Sequence, residues 1–267
     1  MVKNIRSWQQ FSKYVRKKNL QLISSLKGKQ PLIFITGCQR SGTTSLTHIF
    51  FELSEVADYR TNIDSELAGA LILSGFKEFD FTNKRGCFQT TYLNERYNEY
   101  YKFIGKFKMV FLLRNPYSVI YSMVYNWKPK FALRNFALNE LFCSCGQIQL
   151  TSIEKYLYNF LGSYGFLPLK KACYSYVGKL FQLTDLKEKL GSNILVIDYD
   201  DLINQKNKFL PLVFDHFDIS YNSESLDMIH AHSLSKASRL SSRQKKIINY
   251  LCSDIYTHMR SYAHNDI

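Results

Sequence analysis

Residues 32–36, Leu-Ile-Phe-Ile-Thr, run straight into Gly37-Cys38-Gln39-Arg40-Ser41-Gly42-Thr43-Thr44, and a helical pattern follows from Thr43 to about Leu53. So short a run of β-branched and aromatic residues predicts a buried strand. Two glycines, Gly37 and Gly42, let the backbone between them curl until successive N–H groups face one point. The helix that starts there adds about half a positive charge, and Thr43 and Thr44 supply hydroxyl donors. Strand, glycine loop and helix N-terminus together suit a phosphate group.

Two more buried-strand candidates are Lys-Met-Val-Phe-Leu-Leu at 108–113 and Asn-Ile-Leu-Val-Ile-Asp at 193–198. Helical patterns occupy about 65–75, 93–104, 116–126, 151–161, 169–190, 207–216 and 241–260. Strands alternating with helices predict an α/β fold, a parallel β-sheet flanked by helices. Residues 128–150, rich in aromatic and small polar side chains, interrupt the alternation and read as an insertion or lid. No repeat or linker divides the 267 residues, and one core can serve up to about 250–300. A hydrophobic content of 46% excludes a disordered chain, and 12 Gly with 5 Pro exclude collagen-like and low-complexity classes. The longest uncharged apolar run, 67–76, is about half the ~20 residues a membrane helix needs.

Positive charge gathers at the start. The chain has 35 Lys+Arg against 22 Asp+Glu, a net +13, and no acid precedes Glu52. Ile5, Trp8, Phe11, Val15, Leu22 and Leu26 make one apolar stripe, predicting a basic amphipathic helix within 1–29 packed on a single domain of 30–267. The basic face is solvated in the simplest case; an anionic membrane surface touched peripherally, an acidic partner or nucleic acid are the alternatives. Cys38, Cys87, Cys143, Cys145, Cys173 and Cys252 are scattered without zinc spacing, so no metal site is expected. The first residues lack the apolar stretch of an export signal, so a cytoplasmic protein with free thiols is expected.

The loop has the length of the G-x-x-x-x-G-K-[ST] phosphate loop, but Thr43 stands where the Lys belongs. That Lys grips the terminal phosphates of a triphosphate, so its loss argues against hydrolysis or ordinary kinase chemistry. A cation remains mid-loop as Arg40. Further on, the strand at 108–113 ends at Arg114, Asn115 can cap a helix, and Pro116 suits its first position. Ser122 then lies about two turns into that helix. An Arg at a strand's carboxyl end is placed where open α/β sheets bind ligands, and its planar fork suits a phosphate. Few ligands need two separate phosphate grips.

Arg40-Ser41-Gly42-Thr43-Thr44 after a hydrophobic strand resembles the 5′-phosphosulfate-binding loop of sulfotransferases that use 3′-phosphoadenosine 5′-phosphosulfate (PAPS). The spacing of Arg114 and Ser122 is similar to that of the Arg and Ser that hold the donor's 3′-phosphate in this family. More faintly, residues 195–202, Leu-Val-Ile-Asp-Tyr-Asp-Asp-Leu, look like the family's later strand and Y-E-D-L segment. The resemblance implies a P-loop NTPase-like sulfotransferase fold over roughly 30–263. It also implies PAPS as donor with 3′,5′-adenosine bisphosphate as product, and no metal. Gly37, Cys38, Gln39, Arg40, Ser41, Gly42, Thr43, Thr44, Arg114 and Ser122 would bind the cofactor. Arg40 would act at the bridging oxygen.

In-line sulfuryl transfer asks the protein for positioning, charge stabilisation and a base. Cytosolic relatives use a His between the two motifs; here His48 is on the helix leaving the loop and the next is His216, so that catalytic His is missing and a carboxylate should replace it. Other branches place a Glu roughly 20–30 residues after the loop, where this chain has Asp64 and Glu66. Glu66 is favoured, because Asp64 or Ser65 can cap the helix that Glu66 begins. Two departures stand out. Ser45 replaces an adenine-stacking aromatic, and Gln89-Thr90-Thr91 replaces a Lys at the end of the middle strand. Lys84, Arg85 or the 236–239 segment could supply the missing cation. The expected acceptor is a hydroxyl or amine on a small molecule or carbohydrate, not a nucleic acid. An unusual P-loop kinase and a non-catalytic basic binding protein are the alternatives. Oligomeric state is not readable.

Overall fold

The computed structural model describes residues 5–24, 26, 31–61, 63–81, 83–126, 168–221 and 231–265. The expected lid at 128–150 and helix at 151–161 lie outside these residues. Five strands form one wholly parallel sheet: β1 (Leu32–Gly37), β2 (Val56–Ala57), β3 (Arg85–Gln89), β4 (Phe107–Leu113) and β5 (Ile194–Asp198). Their spatial order is β2-β3-β1-β4-β5. Helices α1 (Trp8–Lys18), α2 (Thr43–Phe51), α3 (Ser65–Leu73), α4 (Pro116–Tyr121), α5 (Pro168–Leu190), α6 (Tyr199–Asn204), α7 (Lys206–His216) and α8 (Ser242–Asn265) complete the described layers.

The order places the site before any side chain is considered. From β1 the chain moves towards β2 and β3 on one side; from β4 it moves to β5 on the other. The carboxyl ends of β1 and β4 are therefore the point where the winding reverses, and a crevice opens there. Register fixes the alignment: Gly37 pairs with Leu112, and Leu113 with Asp198. The glycine loop, Arg114 and Tyr199 thus emerge side by side. Every residue of β1 and β5 is buried, as helices on both faces require.

Several elements differ from their expected form. Strands β2 and β3 carry no long apolar run: β2 has two residues, and β3 reads Arg-Gly-Cys-Phe-Gln. β3 is a strand because β1 offers it an edge, and β2 because β3 offers the next one. Residues Leu93–Phe103 coil as 3-10 turns kinked at Arg96, not as an α-helix. After Tyr121 the helix widens into a π turn over Ser122–Asn126. The amphipathic stripe is also shorter than the expected single helix. Asn19, at φ 48, turns the chain after Lys18, so Leu22 reaches the core from a non-helical segment. Within α1, Trp8 lies 4.3 Å from Tyr92 and Phe11 lies 6.0 Å from Phe76, ring centre to ring centre. Among the described residues no helix is long and apolar enough to cross a membrane.

Candidate active site

A cleft of about 770 Å³ opens at the switch point, lined by Gln39, Arg40, Gly42, Thr43 and Thr44 of the loop and by Arg114, Ser122 and Glu66, while the buried Cys38 and Ser41 lie behind the lining. The loop is shaped by close packing. Ser41 Oγ donates to the Cys38 carbonyl at 2.7 Å and pins the turn. Gly42 sits at φ 100, and a Cβ there would lie 2.2 Å from the Tyr199 ring. The N-cap of α2 is Gly42, which has no side chain to accept from the first N–H groups of the helix. Gly42→Ala is expected to destabilise the protein by about 1–3 kcal/mol through strained backbone. Urea unfolding measures it, and an unchanged midpoint would contradict the packing.

Arg40 takes the left-handed conformation at φ 72, rare for a residue with a Cβ. Its Nε donates to Ser122 Oγ at 3.0 Å, so the middle of the loop touches the second motif directly. Arg114, 3% exposed, sends Nη1 to the Arg40 carbonyl at 3.1 Å. Its guanidinium lies 4.9 Å from the centre of the Tyr199 ring, and Nε is 3.6 Å from Asp200 Oδ1. The Asn115 cap and Pro116 start α4, which carries the chain towards Ser122. Burial first and Arg114 second hold the Arg40 pKa below its ordinary value. Lys236 is lowered by burial, then by Arg114, Arg40 and Arg239. Arg40, Arg114 and Lys236, three of the four cations that line the cleft together with Arg6, raise each other's energy, and a multiply charged anion relieves it.

Lys236 therefore stands in the cleft as the extra cation; the other sources do not line it. Arg85 instead donates to the carbonyls of Pro31 and Phe217 as a structural clamp, and Lys84 and Arg239 are exposed. Gln89, at the end of β3, bridges two functions. It accepts from Thr44 Oγ1 at 3.0 Å and donates Nε2 to Glu66 Oε2 at 2.8 Å. The phosphate loop and the carboxylate are two hydrogen bonds apart.

Glu66 is 4% exposed and holds three donors: Gln89, the Thr91 hydroxyl and the Tyr92 N–H at 2.7 Å. Asp64 instead accepts from Leu67 N at 2.9 Å and caps α3. The two acids thus separate: one starts the helix, the other is aimed inward from its first turn. Burial, more than any other cause, pushes the Glu66 carboxyl up to about 8; Asp64 adds to the rise, while Thr91, Tyr92 and Lys179 oppose it. A carboxyl poised near neutral pH in a cleft has the properties of a proton acceptor.

Arg6, Trp8, Tyr92, Tyr199 and Lys179 also belong to this region and carry no mark of it in the sequence. Trp8 and Tyr92 line the cleft, although Trp8 belongs to the segment before the first strand. Its place in the apolar stripe marked it for burial, not for the site. Ser45 also lines the cleft.

Fold and cleft define an α/β protein with an anion-ready crevice at its switch point. The model of the sulfotransferase domain family matches residues 30–260, so the chain belongs to the sulfotransferase family and is an enzyme of that class. No curated protein matches the sequence. The fold is similar to the sulfotransferase domain from the curacin biosynthetic pathway, at 16% identity and TM-score 0.50, covering 80% of this chain and 84% of that one. It is also similar to a sulfotransferase from Alicyclobacillus acidocaldarius, at 13% identity and TM-score 0.50, covering 90% and 98%. The sulfotransferase domain from the Synechococcus PCC 7002 olefin synthase gives 12% identity and TM-score 0.51, again covering 90% and 98%. At these identities the likeness is one of fold.

Proposed function

We propose that the enzyme transfers the sulfuryl group of PAPS to a hydroxyl or amine of a small-molecule or carbohydrate acceptor, without a metal and with Glu66 as base. One observation carries this reading: both anion grips and the carboxyl open into one cleft, with Arg40 Nε on Ser122 Oγ at 3.0 Å. When bound, PAPS supplies an activated sulfuryl group and a stable nucleotide leaving group. The residues present fit it: loop N–H groups with Thr43 and Thr44 for one anionic end, Arg114 with Ser122 for the other. The Tyr199 ring lies 4.9 Å from the Arg114 guanidinium carbon and packs against the fork. Arg40 stands between the two grips and neutralises charge that grows on the leaving oxygen. Lys236 and Arg6 add two more cations to the same cleft. These side chains supply the positive charge that a metal would bring to phosphoryl transfer.

Glu66 takes the acceptor's proton on a carboxylate oxygen while Gln89, Thr91 and Tyr92 hold it in place. We place the reaction in the cytoplasm, since the described cysteines, Cys38, Cys87, Cys173 and Cys252, are all free and buried. The test is an assay with sulfur-labelled PAPS and a panel of phenols, alcohols, amines and sugars in the presence of EDTA. Labelled product is expected. Binding of ATP with magnesium in preference to 3′,5′-adenosine bisphosphate, with no sulfated product, would replace this reading with a kinase.

A further inference from the structure

Lys179 lies in the middle of α5 and is fully buried. It is surrounded by apolar neighbours on its own helix: Tyr176, Val177, Leu180 and Leu183 are buried with it. An ammonium is kept in such a place only where something holds its charge. Its Nζ donates to the Thr91 carbonyl at 2.5 Å. The hydroxyl of the same Thr91 donates to Glu66, and the next residue's N–H donates to that same carboxylate oxygen at 2.7 Å. A lysine outside the cleft lining is thus joined to the carboxyl inside it through one residue.

We propose that Lys179 is a positioning residue for Glu66, fixing Thr91 against the carboxyl and supplying a counter-charge that favours its ionised form. This rests on Glu66 being the base, as read above. The surroundings of Glu66 single out this lysine. Asp64, at the start of the same helix, opposes a charge on Glu66, and the buried Tyr59 phenol is itself held neutral in part by it. Thr91 and Tyr92 act as neutral donors, and Lys179 is the ammonium that favours the charged form. Two features of α5 then have one explanation. The residue must be long enough to reach the turn after β3, and it must be charged, because a neutral side chain could make the same hydrogen bond.

The experiment is the pH dependence of kcat/KM for the full chain, in wild type, Lys179→Met and Lys179→Gln. The Gln variant removes the charge and keeps a neutral donor, one bond shorter, on the Thr91 side, so it carries the test should the Met variant fail to fold. Both are expected to move the acid limb upward by about one pH unit or more. Activity at pH 7 falls by about tenfold for each unit moved and recovers towards wild type in alkali. A limb that stays in place, with activity lowered equally at every pH, would make Lys179 a structural residue and overturn the proposal. Glu66→Gln separates the two readings. An acid limb that persists in that variant removes Glu66 as base and this proposal with it. A Glu66→Gln enzyme without activity, beside Lys179 variants with unmoved limbs, removes the Lys179 proposal alone.

Discussion

Glu66→Gln is expected to lower kcat by roughly a hundred- to ten-thousand-fold, the usual contribution of a positioned base, with nucleotide affinity nearly unchanged. The substitution fits the site. Thr91 and Tyr92 still donate to one oxygen, and the Gln89 amide can turn over to receive the new N–H, since Thr44 can donate or accept. Wild-type kcat/KM should rise with pH and level off above about 8, where the carboxyl is ionised. Stability should run the other way. A carboxyl raised from 4.5 to about 8 binds its proton more tightly in the folded chain, so stability is fully present below about 4.5 and is lost as pH climbs to about 8. The loss is on the order of 5 kcal/mol at ~1.4 kcal/mol per unit. Glu66→Gln is free of it. Urea unfolding should therefore show the variant gaining on wild type from pH 6 to pH 9. A gap that does not widen would mean that the carboxyl is not held as the structure has it.

Arg114→Ala should weaken binding of 3′,5′-adenosine bisphosphate by about 2–5 kcal/mol, roughly thirty- to several-thousand-fold in Kd. The side chain is buried, sits over Tyr199 and supports the loop through the Arg40 carbonyl, so its removal acts on both grips. Part of the cost comes from Asp200, which keeps only the Asn115 N–H at 3.1 Å among these partners. Adding Asp200→Asn should therefore recover stability but not affinity. Arg114→Lys should bind weakly too, because an ammonium lacks the fork and the flat face. Calorimetric titration measures all three, and wild-type affinity in Arg114→Ala would remove the second anion grip.

What the sequence disclosed follows from how local each cause is. The β1 loop is written in consecutive residues, since backbone curl and helix start need only Gly37, Gly42 and the threonines. Arg114 was legible because a strand, a cap and Pro116 mark its position without help from elsewhere. The short strands β2 and β3 were not, because their pairing depends on a neighbour distant in sequence. Neither Val56–Ala57 nor Arg85–Gln89 has a period of its own. Capping logic favoured Glu66 over Asp64 from the sequence, but the partners of the inward carboxyl, Gln89, Thr91 and Tyr92, come from a turn distant in sequence. Lys179 has no local mark at all. Its helix reads as core, and its meaning comes from the carbonyl it reaches, 88 residues away in sequence.

A crystal grown with 3′,5′-adenosine bisphosphate tests the account at its root. The account predicts one nucleotide spanning the crevice, its 5′-phosphate within hydrogen-bond reach of the N–H groups of residues 39–44 and its 3′-phosphate on Arg114 and Ser122. A nucleotide bound elsewhere, or one that touches the loop while its 3′-phosphate points away from Arg114, would contradict it.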